Sequence, residues 1–69
     1  MNTLISKKIT FTYDNVEVDW NFSNTFNLYF IDEIGQRDHR EADCFSAMNI
    51  KTIDEAEKIA TNFVLENYN

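Results

Sequence analysis

Between Ile9 and Tyr13 the chain alternates Ile-Thr-Phe-Thr-Tyr, placing Ile9, Phe11 and Tyr13 on one face and Thr10 and Thr12 on the other. This two-residue period is that of a strand with one buried face. Asp14-Asn15 interrupts it with two residues that tolerate positive φ, as a type I′ hairpin turn demands. Val16, Val18, Trp20 and Phe22 then alternate with Glu17, Asp19 and Asn21, the cleanest inside/outside strand of the sequence. After a turn at Ser23-Asn24-Thr25, a third strand puts Phe26, Leu28 and Phe30 on one face and Asn27, Tyr29 and Ile31 on the other. Asp32-Glu33-Ile34-Gly35 holds the one glycine of the chain, which predicts the left-handed residue of a bulged hairpin. The fourth strand is expected from Gln36 through Phe45. Its charges on both faces are those of an edge strand guarded against unwanted pairing.

Thr52-Ile53-Asp54-Glu55 matches a capping box, so a helix is expected to begin at Thr52. Ile53, Ala56, Ile59, Ala60, Phe63, Val64 and Tyr68 recur at three- and four-residue steps and form its apolar side. The small Ala56 and Ala60 allow close approach to a sheet. The face awaiting them carries Ile9, Phe11, Val18, Trp20, Leu28 and Phe30. The expected fold is α+β: an antiparallel meander of three or four strands with one C-terminal amphipathic helix packed on one face.

Composition narrows the picture. The 69 residues are expected to form a single domain, residues 1–69, and a chain of this size buries only about 60% of the surface it exposes when unfolded. Twelve acidic against six basic residues give a net charge of −6, which opposes a direct grip on nucleic acid or anionic lipid and favours basic partners. The single Cys44 excludes an internal disulfide and points to a reducing, cytoplasmic setting. Met1 to Lys8 lacks the apolar stretch of a signal peptide, and no run approaches the roughly 20 apolar residues of a membrane span.

Candidate chemistry is sparse. In a strand, His39, Glu41 and Asp43 would share a face at steps of about 6.7 Å, but a straight strand splays its side chains where a metal needs convergence. They are therefore expected to form a solvated edge with no metal. Cys44 has no evident activating base and is expected to pack as a small apolar residue. Phosphate loops, nucleophile elbows and zinc-protease motifs are missing from the sequence. Neither catalysis nor a cofactor is expected.

The charge layout is more informative. Residues 14 to 33 contain Asp14, Glu17, Asp19, Asp32 and Glu33 without a single Lys or Arg. Glu17 and Asp19 should project from the sheet face opposite the helix, beside Tyr29 and Ile31. Aromatic anchors in a charged rim are common interface anatomy, so Glu17, Asp19, Tyr29, Ile31, Asp32 and Glu33 form the candidate partner-binding set. Against this stands the ordinary wet face of an antiparallel sheet, for which Glu17, Asp19 and Asn21 need no partner.

With its small size, its acidity, a short sheet and a helix opened by Thr52-x-x-Glu55-Ala56-x-x-x-Ala60, the chain resembles the small acidic inhibitors of phages and mobile elements, anti-CRISPR and antirestriction proteins among them. The resemblance implies a non-enzymatic protein in the host cytoplasm. Such a protein blocks a basic or nucleic-acid-binding surface of a larger protein or ribonucleoprotein, without touching nucleic acid or membrane itself. The alternative expectation is a homodimeric structural or regulatory module that pairs sheets through Tyr29 and Ile31. Monomer and weak homodimer both fit the sequence.

Overall fold

The computed structural model describes residues 7–68; the N-terminal reading of residues 1–6 lies outside them. Four strands, β1 (Ile9–Thr12), β2 (Val16–Trp20), β3 (Thr25–Phe30) and β4 (Asp43–Ser46), precede one helix, α1 (Ile53–Tyr68). The strands pair antiparallel in chain order, and α1 covers one face, an α+β fold with the maximum of the expected strand count.

The inner face follows from the alternation. Register aligns Phe11 with Val18 and Leu28, and Trp20 with Phe26 and Phe45, so each inward residue meets another across the ladder. Val16, Val18, Phe26 and Leu28 are fully buried under Ala56, Ala60 and Val64. The two alanines are fully buried where the helix lies on the strands. Phe22, Trp20, Phe26, Phe45, Phe63, Tyr68 and Phe30 form an unbroken aromatic chain, tightest where Phe45 and Phe63 stack at 3.8 Å between centroids.

The capping box forms as expected. The Glu55 amide donates to Thr52 Oγ1 at 3.1 Å, and Glu55 Oε1 accepts from the Thr52 amide at 3.1 Å and the Lys51 amide at 2.7 Å. Gly35, at φ 84°, also takes its expected left-handed place. The Gly35 amide donates to Asp32 O and the Asp32 amide to Gln36 O, closing a three-residue loop with a bulge.

Several details depart from the sequence pattern. The second strand stops at Trp20, because the Trp20 indole N–H donates to Ser23 O at 2.7 Å and closes a tight turn. That turn puts Phe22 at φ 59°, 47% exposed, its ring folded back to 4.4 Å from Trp20. The hairpin at Asp14-Asn15 is not type I′, since neither residue has positive φ. Ile53 is exposed because it opens the helix ahead of the buried turn, and Phe30 is half-exposed at the sheet end, edge-on to Tyr68.

The expected fourth strand is interrupted. Arg37 bridges Ile31, and the Asp38 and Ala42 amides donate to Phe30 O and Leu28 O, but His39, Arg40 and Glu41 leave the sheet between them. Asp38 Oδ1 accepts from the Arg40 amide at 3.0 Å, a local turn that competes with the ladder. Regular pairing resumes only at Asp43, so His39, Glu41 and Asp43 do not share a strand face. Cys44 is exposed rather than packed: Phe45 takes the inward position of β4, which turns Cys44 and Ser46 to the other side.

Candidate functional site

The outer face of the sheet carries Glu17, Asp19 and Tyr29 of the expected partner-binding set. Glu17 and Asp19 on the interior strand β2 pair with Thr12 and Thr10 of β1 on one side, and with Tyr29 and Asn27 of β3 on the other. All of these side chains point away from the helix.

Arg37 organises them. The hairpin at Gly35 sets Arg37 opposite Ile31, at the end of the outer face, and its side chain runs back over β3 toward β2. The guanidinium carbon lies 4.4 Å from the centroid of the Tyr29 ring. From there its Nη1 donates to Asp19 Oδ2 and its Nη2 to Asp19 Oδ1, both at 2.7 Å, while Nε donates to Glu17 Oε1 at 2.8 Å. The planar fork matches the carboxylate in the bidentate manner that lysine cannot reproduce. Thr10 Oγ1 donates to Asp19 Oδ1 at 2.8 Å, and Lys8 Nζ stands 3.5 Å from Asp19 Oδ2.

Asp19 is therefore only 5% exposed, in contrast to the free strand position expected for it. Burial pushes its carboxyl pKa up, but hydrogen bonds from Arg37 and Thr10 and the charges of Arg37 and Lys8 prevail and hold it below the ordinary aspartate value. The hydrogen bond to Asp19, and after it that to Glu17, keeps Arg37 firmly charged. Among the described residues, no buried side-chain nitrogen or oxygen lacks a partner.

The six candidate residues thus divide. Glu17, Asp19 and Tyr29 come together as expected, but around a cation of the same chain, and Ile31 pairs with that cation's own residue. Asp32 serves its loop, where its Oδ1 accepts from the Ile34 amide at 3.0 Å and the Gln36 amide at 2.9 Å. Glu33 is exposed at the tip of that loop. Arg37 itself was missed. Its signal was present in the sequence, because a three-residue loop ending in Gly35 aligns Arg37 with Ile31, and the nearest uncompensated charges on that face are Glu17 and Asp19.

The His39 side chain is 93% exposed, at 3.9 Å from Asp38. Among the described residues, no three His, Cys, Asp or Glu side chains are grouped to hold a metal ion. No helix among them is long and apolar enough to cross a membrane. The chain matches no protein-family model, no curated protein and no solved structure.

Proposed function

We propose that this protein is a non-enzymatic binding protein that occupies a basic or nucleic-acid-binding surface of a larger protein or ribonucleoprotein. The observation that carries this reading is where the charge is left. The outer-face cluster is neutral in itself, Glu17 and Asp19 set against Arg37 and Lys8, so the entire −6 belongs to the rest of the molecule. Exposed carboxylates remain at Asp14, Glu33, Asp54, Glu57 and Glu66. A small body with an excess of free negative charge meets a basic surface with fast, salt-sensitive association. Occupation of that kind is what the resemblance to small acidic inhibitors implies. Pairing of two copies through Tyr29 and Ile31 has less to draw on, because Arg37 already lies over Tyr29 and bridges Ile31.

Affinity capture from a cell lysate, quantified by mass spectrometry with and without added nucleic acid, tests the reading. The expected result is a basic protein captured in fixed ratio and released by raised salt or by the nucleic acid. Capture that is indifferent to both, or of acidic proteins only, overturns it.

A further inference from the structure

One of the free acidic groups, Asp14, lines a cavity. A cleft of about 340 Å³ opens between the β1–β2 turn and the last two turns of α1, lined by Tyr13, Asp14, Asn15, Val64, Leu65 and Tyr68. The Ile31 amide donates to Asn15 O at 2.9 Å, which brings the Asp32-Glu33 loop to the same end. Glu66 lies in the last helical turn, at the negative pole of the helix dipole, and no basic residue stands in that turn. Lys58, the one cation of α1, lies two turns earlier.

The walls of the cleft have a specific chemistry. The Tyr13 hydroxyl shares a hydrogen bond with Thr61 Oγ1 at 3.0 Å, and the Tyr68 hydroxyl donates to Asp43 Oδ2 at 2.8 Å. With both hydroxyls engaged, the rings offer a guest mainly π surface. Val64 and Leu65 add apolar wall, Asp14 adds a carboxylate, and Leu65 remains 54% exposed. Burial raises the Tyr13 pKa, against the hydrogen bond to Thr61 and with a smaller contribution from the charge of Glu57. Aromatic rings beside a carboxylate receive an alkylammonium or guanidinium with its hydrocarbon stem against apolar side chains. The volume is at the small end for ligand sites and suits one long side chain better than a cofactor.

We infer that this cleft is the anchor point for a lysine or arginine side chain projecting from the basic partner. The inference rests on the proposed function and names the place on this chain where that contact centres. Such an anchor would dominate the affinity, while the surrounding Asp32, Glu33 and Glu66 would steer the approach.

The test titrates acetylated, amidated hexalysine and hexaarginine peptides into isotope-labelled protein at an ionic strength of about 0.15 M, following backbone amide shifts by NMR. Shifts should concentrate at residues 13–16 and 64–68. Asp14→Asn, which keeps a turn-forming residue, should weaken binding by about fivefold to tenfold, and Leu65→Ala by about threefold or more. Asp54→Asn makes the same charge change at the other end of α1 and should alter affinity by less than about twofold, with circular dichroism confirming that all variants fold. Binding that ignores Asp14→Asn, or shifts centred on Asp54 and Glu57, overturns the cleft and leaves the proposed function standing. Failure of both peptides to bind even at low salt removes the basic-surface reading together with the cleft.

Discussion

The two faces of the sheet are built by opposite means. The inner face is dry and aromatic: its residues alternate along each strand, meet one another across the ladder and are closed over by Ala56, Ala60 and Val64. Among the described residues no helix lies above the outer face, and its center is held by one arginine lying across Tyr29 to reach Glu17 and Asp19. The inner face draws its strength mainly from buried area. The outer face draws it from geometry, and depends on a single side chain arriving at the right angle. Acidic residues on a sheet are therefore not in themselves a docking surface, because here the pair at the centre of the face is matched within the chain.

The comparison can be broken most severely from the inside. Trp20→Ala should cost about 3 to 5 kcal/mol, a large share of the stability of so small a domain, and leave the protein largely unfolded in urea titrations. A wild-type midpoint would mean that the aromatic chain through Trp20 does not hold the core. The outer face should come next. Arg37→Ala strands the Asp19 carboxylate with only Thr10 and Lys8, and should cost about 2 to 4 kcal/mol, less than for a fully enclosed pair because Arg37 retains some solvent contact. A loss below about 0.5 kcal/mol would reduce the arginine to an ordinary surface residue.

Acid separates the faces without mutation. Because the folded-state pKa of Asp19 lies below its unfolded value, the stability it contributes is fully present above the ordinary aspartate pKa near 3.8 and is lost as pH falls through the lowered folded value. The apolar face has no such dependence. Wild-type stability should therefore drop more steeply below about pH 4 than that of Asp19→Asn, and parallel curves for the two proteins would show that the clamp contributes nothing there.

A matched pair of small changes sharpens the contrast. Thr52→Ala removes the hydroxyl that starts the helix over the inner face and should cost about 0.5 to 2 kcal/mol. Gly35→Ala strains the loop that aims Arg37 across the outer face and should cost about 1 kcal/mol from backbone conformation alone, since an added Cβ meets nothing within 4 Å. Differential scanning calorimetry on both variants reads the two effects. In Gly35→Ala combined with Arg37→Ala the losses should fall short of additive if the loop acts through the arginine.

Much of the inner face was legible in the sequence because it rests on local periodicity. The alternation of Val16, Val18 and Trp20, the three- and four-residue recurrence in α1 and the capping box at Thr52 each need only a few neighbouring residues to be recognised. Phe22 and Cys44 escaped because the end of a strand and the inward choice at its edge are decided by other elements: the Trp20 indole closing on Ser23 O, and Phe45 claiming the place against Phe63. The clamp escaped for the same kind of reason. Arg37 lies 18 residues from Asp19, and their meeting depends on a register that two turns and two strands must set together. The cleft, formed between a turn near the start of the chain and the end of its helix, left no local pattern to read.

Asp43 carries a further consequence. Its Oδ1 accepts from the Cys44 amide at 2.8 Å and its Oδ2 from the Tyr68 hydroxyl, so one carboxylate both ties the end of the helix to β4 and occupies an amide of that outermost strand. β4 is only four residues long, and a strand from another molecule seeking to extend the sheet would have to displace that carboxylate before it could add its own carbonyl. Addition of a further strand to this sheet is thereby opposed at β4 by a carboxylate that also holds the end of the helix.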